Sequence, residues 1–283
     1  MQTDKHSGAP VSRRVFLRQT GLVIAGGGLL ALSAGSGCGG NQGSLSSPEV
    51  PPVPVPPTRR VLVWSERTAP ANPYPDDINV AIAAGIAPLL PPEWQVQTAN
   101  IDEPDQGLAP DAIDAADVIV WWSHIRQQEV ADAAADRIAT RVREQGMGFI
   151  ALHSGSWGAK PFNRITGSTG DWTGGAQILG EGNRILIAAP QHPIARGVSD
   201  FLLPEEERYL GSFNAPTPDT IVFDGIYEQD GTRAPQGMAW AMGNGRLFYF
   251  RPGHESFPVF FQPEVRQVLR NAVLWAAGDD AAI

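Results

Sequence analysis

Residues 117–122 read Asp-Val-Ile-Val-Trp-Trp and residues 148–153 read Gly-Phe-Ile-Ala-Leu-His. Between them, 127–145 carries Val130, Ala134, Ile138 and Val142 at helical spacing, with charged residues elsewhere. Short, unbroken apolar runs are the pattern of strands buried on both faces, and a helical stretch joining two of them is a βαβ crossover. Working outward, Val61–Trp64 and Gln95–Ala99 read as further strands. Ile78–Leu90 reads as a helix that Asp77 could cap. Downstream, strands are expected at Arg184–Ala188, Thr220–Phe223, Gly237–Ala241 and Arg246–Phe250, with a closing helix over Glu264–Ala277. Strands alternating with helices predict an α/β fold, a mostly parallel sheet with helices on both faces. In such sheets ligands bind outside the carboxyl ends of the strands.

That rule selects histidines. His124 follows 118–121, His153 follows 149–152 and His254 follows 247–250, so three of the four domain histidines fall just past strand ends. His192 sits in a turn and His6 near the N-terminus. Any one loop histidine is ordinarily a surface or capping residue, but three on one edge point to a shared site. Imidazole moves protons near neutral pH and also ligates divalent metal ions. No His-Glu-x-x-His spacing fixes a metal, so ligands would have to come from separate strands. Glu207 and Glu255 are candidates for general base, metal ligand or histidine orienter, and Asp76 and Asp77 could reach the same edge. The run Glu205-Glu206-Glu207 is otherwise the pattern of a solvated surface. Trp121 suits the core, whereas Trp122 or Trp157 could offer a flat apolar platform to a sugar ring. Gly174-Gly175 and Gly180-x-Gly182 lack the Lys-Ser/Thr of a phosphate loop.

Lys and Arg number 21 against 30 Asp and Glu, a formal net charge of −9, which argues against nucleic acid as a partner. The apolar share of 42% and charged share of 18% fit a folded domain. A single cysteine excludes an internal disulfide framework and a cysteine-rich zinc site. Ser12-Arg13-Arg14-Val15-Phe16-Leu17-Arg18 has the form of a twin-arginine export signal, followed by a Gly-rich apolar run too short for a convincing transmembrane helix. Leu32 to Gly39 resembles a lipoprotein lipobox around Cys38. Gly35 stands where Leu is usual, and cleavage near Ala34 is the alternative. Residues 39–58, rich in Gly, Ser and Pro, read as a tether. The expected organisation is a signal over 1–38, a linker over 39–58 and one domain over 59–279. The working molecule would be periplasmic, or held at the membrane only through a lipid on Cys38.

Val-Leu-Val-Trp64, Trp-Trp-Ser-His124, Ala-Leu-His153-Ser-Gly, His192-Pro-Ile, Glu207-x-Tyr209 and Phe-Arg251-Pro-Gly-His254-Glu255, in that order, resemble the ThuA family of trehalose utilisation proteins. The resemblance implies a flavodoxin-like fold similar to class I glutamine amidotransferases. It also implies a role in the metabolism of trehalose or related disaccharides, including keto-sugars, often beside a sugar-oxidising dehydrogenase. Amidotransferases carry a nucleophilic cysteine at a strand-to-helix turn. Here that turn carries His153 and the lone cysteine is Cys38, so glutamine thioester chemistry is excluded. Ser154 lacks a Gly-x-Ser-x-Gly elbow.

The expected site therefore has His153, His254, Glu255 and Glu207 as catalytic groups. Trp122, Trp157, Tyr209 and Arg251 would contact substrate, although an arginine before proline could equally be structural. His124, His153 and His254 would be ligands to any divalent metal ion. The chemistry would be isomerase, lyase or hydrolase in type. The alternatives are a non-catalytic, lipid-tethered sugar-binding protein and a partner module of an exported sugar dehydrogenase.

Overall fold

Apolar runs buried on both faces form one half of a nine-stranded sheet. They are β1 (Arg59–Ser65), β3 (Val118–Trp122), β4 (Gly148–Leu152) and β9 (Gly245–Phe250), with β2 (Trp94–Asn100) at the edge. The order β2-β1-β3-β4-β9 is parallel throughout. Beyond β9 the sheet continues antiparallel through β8 (Arg233–Met242), β7 (Thr220–Tyr227), β5 (Trp172–Ile187) and β6 (Phe201–Phe213). This computed structural model describes residues 58–283. The twin-arginine segment, Cys38 and the tether through residue 57 lie outside the described residues.

Alternation along each strand divides the core in two. Val61, Val63, Val118, Val120, Ile150 and Phe248 pack under α1 (Ile78–Ile86) and α5 (Pro263–Ala276). Leu62, Trp64, Ile119, Trp121, Phe149 and Tyr249 pack under α2 (Pro110–Ala115), α3 (Asp132–Gln145) and α4 (Lys160–Thr166). Helices thus cover both faces, as a parallel sheet requires. Asp77 accepts a hydrogen bond from the Ile78 N–H at 2.8 Å and another from the Ser65 hydroxyl at 2.6 Å, tying the start of α1 to the end of β1. Among the described residues no helix is long and apolar enough to cross a membrane.

Two helices and one strand escape the periodicity reading. α2 and α4 span 6 and 7 residues, too short to display a helical stripe, although each carries a proline in its first turn. β6 is hidden by its acidic run. β5 and β6 form a long ribbon that joins the sheet where Asn183–Ile187 pair with β7. Beyond that stretch the pairing slips at Gly174/Gln177, Leu179/Glu181 and Glu181/Asn183. Each slip bends the ribbon and sharpens its twist. At one of them Gly180 adopts φ +82°, a left-handed conformation that suits glycine. The glycine pairs of β5 therefore shape a bent ribbon.

Phe149, fully buried in β4, tests the packing. Phe149→Ala is expected to cost about 3–5 kcal/mol, through lost transfer energy and the cavity left behind, in urea unfolding followed by circular dichroism.

Candidate active site

Three neighbouring strands end on one edge, and each delivers a histidine. His153 directly follows β4, His124 lies two residues past β3, and His254 lies four past β9. Adjacent strands stand about 4.8 Å apart, so the outer two of these strand ends are separated by roughly twice that distance. Yet all three imidazoles touch, with ring centroids 5.1 Å apart for His124–His153, 5.0 Å for His124–His254 and 5.3 Å for His153–His254. Two ties draw the β9 loop across the end of β4. Trp122 Nε1–H donates to the Gly253 carbonyl at 2.9 Å, and His124 Nδ1 lies 2.8 and 2.9 Å from the two Glu255 carboxylate oxygens.

Two buried glutamates hold the loop backbones. Glu66 accepts from the N–H groups of Ile125 and Arg126 at 2.6 and 2.8 Å, fixing the turn that carries His124. Glu206 accepts from Gly253, His254 and Glu207 N–H groups at 3.1, 3.1 and 3.0 Å. Neither was expected to contribute to the site. In sequence Glu206 is one of three consecutive acids, and only its position on the bent ribbon reveals its work. Burial raises its carboxyl above the usual range, opposed by His153 and these N–H groups. Gly253 sits at φ +135°, where a Cβ would fall 2.6 Å from the Phe260 ring, so the turn is closed to side chains. His153 occupies left-handed space at φ +53°, a conformation that costs a non-glycine residue on the order of 1–2 kcal/mol.

The ribbon supplies the rest. Glu205 faces solvent, but Glu206, Glu207, Arg208 and Tyr209 are buried. Arg208 anchors β6 from behind, between the Glu181 carboxylate at 3.2 Å and Asp230 at 2.9 Å. On the other side Tyr209 stacks on His153, and its hydroxyl hydrogen-bonds His153 Nε2 at 2.9 Å and the Ser154 hydroxyl. Glu207 Oε2 lies 3.2 Å from His153 Nε2 and 3.9 Å from His254 Nε2, yet no donor points along its lone pairs. Burial works to raise the Glu207 carboxyl, but His153 beside it brings the net value below the ordinary one.

The other groups divide sharply. Burial disfavours charge on His124, but Glu255 more than compensates and raises this imidazole above its usual value. Burial likewise acts to raise Glu255, and His124 reverses it, holding the carboxyl at about 2. Burial and then the neighbouring His153 lower His254 to about 4. Ser256 N–H donates to His254 Nδ1 at 3.1 Å, which places the proton of the neutral ring on Nε2.

Other candidates sit elsewhere. Trp122 is fully buried and bonded to Gly253, so it is a wall beneath the edge and offers no platform to a ligand. Arg251 is buried as well, its guanidinium carbon 3.9 Å from the centre of the Trp172 ring and 5.7 Å from that of Tyr209, so it packs among the aromatic rings of the ribbon. Asp77 is engaged by Ser65 and α1, and Asp76 is exposed. His192 accepts from Ile194 N–H at 3.3 Å and packs on Trp275, away from the other three. Trp157 remains half-buried at the rim, edge-on to Tyr209 at 5.6 Å.

Comparison with known proteins agrees with this architecture. The family model for ThuA, described as trehalose utilisation, matches residues 60–276. A ThuA-like protein from Parabacteroides merdae superposes with a TM-score of 0.59 at 16% identity, over 78% of this chain and 90% of that one. A second, from Bacteroides uniformis, gives 0.55 at 14% identity, over 81% and 95%. A glutamine amidotransferase from Thermotoga maritima aligns at 0.45 and 10% identity, over 78% and 98%. No curated protein matches the chain.

Removing Glu206 tests the loop anchoring. Glu206→Ala strands two N–H groups of the His254 turn in a buried setting, each costing about 1–3 kcal/mol. The expected result is a loss of about 2–6 kcal/mol in urea unfolding, with faster hydrogen exchange at Gly253 and His254.

Proposed function

The chain belongs to the ThuA family, and from that premise we propose an exported enzyme of carbohydrate metabolism that acts on an oxidised disaccharide or related keto-sugar. The observation that carries this reading is the buried Glu207 oxygen with no directed donor, beside His153 on an edge of three imidazoles. A keto group acidifies the C–H next to it and makes a glycosidic oxygen one carbon further on a potential leaving group. Glu207 takes that proton, and the C–H electron pair moves into the ring to form an enolate. The imidazole edge stabilises the charge that gathers on the carbonyl oxygen. As the enolate collapses, either the glycosidic C–O bond breaks and the departing oxygen takes the proton from Glu207, or the hydroxyl proton on the deprotonated carbon passes to the old carbonyl oxygen while Glu207 returns its proton to the former carbonyl carbon, moving the ketone one carbon along. The first outcome is elimination and the second isomerisation.

The rim suits such a substrate. Ile125, 70% exposed, follows His124 directly, and Leu179, 58% exposed, pairs with Glu207 across the ribbon. With Trp157 they supply apolar groups next to site residues in the chain or ribbon register, a complement to the C–H faces of a sugar. The twin-arginine segment and Cys38 support export with a lipid anchor. A sugar-oxidising dehydrogenase is the partner that would supply the keto group.

Two variants test this reading on keto-disaccharides, with product release followed by mass spectrometry. Glu207→Gln is expected to lower kcat/KM about 10²–10⁴-fold. His153→Ala should cost about 10²–10³-fold through lost stabilisation of the developing charge. Unchanged turnover of every responsive sugar in both folded variants would sink the assignment.

A further inference from the structure

The three imidazoles form a nearly equilateral set, with centroid separations of 5.0–5.3 Å and interplanar angles of 74–79°. Edge-to-face contact is an ordinary packing geometry for rings, but collecting three protonatable ones invites mutual repulsion. A cation bound at about 2.0–2.1 Å by one nitrogen of each ring, in tetrahedral geometry, places the ring centres roughly 5 Å apart. One ligand atom from each of His124, His153, His254 and Glu255 lies within 4.8 Å of the other three. We propose that this edge binds one divalent first-row transition-metal ion through His124, His153 and His254, with Glu255 orienting His124 through Nδ1. The inference rests on the reading of this edge as the reacting site, and it identifies what makes the imidazole edge electrophilic.

Three further features fit. Glu255 grips His124 through Nδ1, the carboxylate contact that holds a ligating imidazole in one orientation and leaves Nε2 free. Glu207 Oε2 is an orphaned, buried acceptor 3.2 Å from His153 Nε2, and a cation beside it would supply the missing positive charge. Three imidazole nitrogens form a donor set suited to zinc, iron, cobalt or nickel. One adjustment is required at His254. Its lone pair at Nδ1 accepts from Ser256 N–H, and a cation taking that nitrogen replaces one backbone hydrogen bond, a modest exchange. With the cation in place the histidines serve as ligands, and proton transfer falls to Glu207.

The test uses the full chain dialysed against a chelator and titrated with cobalt(II), followed by visible absorption and calorimetry. One cobalt per chain is expected, with ligand-field bands showing nitrogen ligation. His124→Ala and His254→Ala should each weaken binding at least about 100-fold, and the shape-preserving Glu255→Gln about 10–100-fold. His192→Ala, away from the edge, should bind as the parent does. Glu255→Gln carries the test where circular dichroism shows a histidine variant unfolded. Absence of stoichiometric uptake of cobalt or zinc, or uptake equally strong in His124→Ala and His254→Ala, would overturn the proposal. Keto-sugar turnover by the metal-free chain would overturn the cation while leaving the enzyme reading intact. A bound cation without turnover would do the opposite.

Discussion

Everything at the histidine edge depends on how the β9 loop is pulled across the end of β4. Hydrogen bonding along the sheet fixes neighbouring strands at a set spacing, so β3 and β9 cannot approach while β4 lies between them. Contact between His124 and His254 must come from the loops. The Trp122 indole on the Gly253 carbonyl and the Glu255 carboxylate on His124 supply the lateral pull. Glu206 satisfies the backbone N–H groups that such a tight path would otherwise leave bare. These are buried polar contacts, worth little when complete and costly when broken. Rigidity at the site is therefore bought with charges that cannot easily be substituted one at a time.

The β5–β6 ribbon solves a second problem of placement. β6 is the far edge of the sheet, four strands beyond β9, yet its Glu207 and Tyr209 touch His153. Register slips bend the ribbon back over the strand ends, and Arg208 between Glu181 and Asp230 holds it there. The ribbon faces two ways at once. One side carries an ion-pair anchor and the other the acid and phenol of the site, which explains why Glu206 through Tyr209 are buried without strict alternation. Burial and the Glu207 charge push the Tyr209 hydroxyl well above the phenol range, so it stays protonated beside the histidine.

The parallel half of the fold was legible because strands buried on both faces must be apolar throughout, a pattern that local sequence displays. His124, His153 and His254 were legible for a related reason: strand ends could be located, and the carboxyl edge is shared. Glu66 and Glu206 were not. Each acts on backbone N–H groups of a loop distant in sequence, and nothing in a lone glutamate marks it as such an acceptor. Trp122 and Arg251 misled because residue type suggests sugar or anion binding, whereas burial beneath the edge makes both of them supports.

By itself the sequence determined the α/β class, the strands of the parallel half, the edge on which the three histidines gather, and the absence of a cysteine from the turn held by His153. Only the tertiary structure decided that the three imidazoles meet, that Glu207 stands among them with an unpartnered oxygen, and that Glu206 turns inward. The reason is one of range. Burial and strand formation are written in neighbouring residues. The meeting of side chains from β3, β4, β6 and β9 depends on bends, bulges and buried hydrogen bonds between segments up to about 130 residues apart.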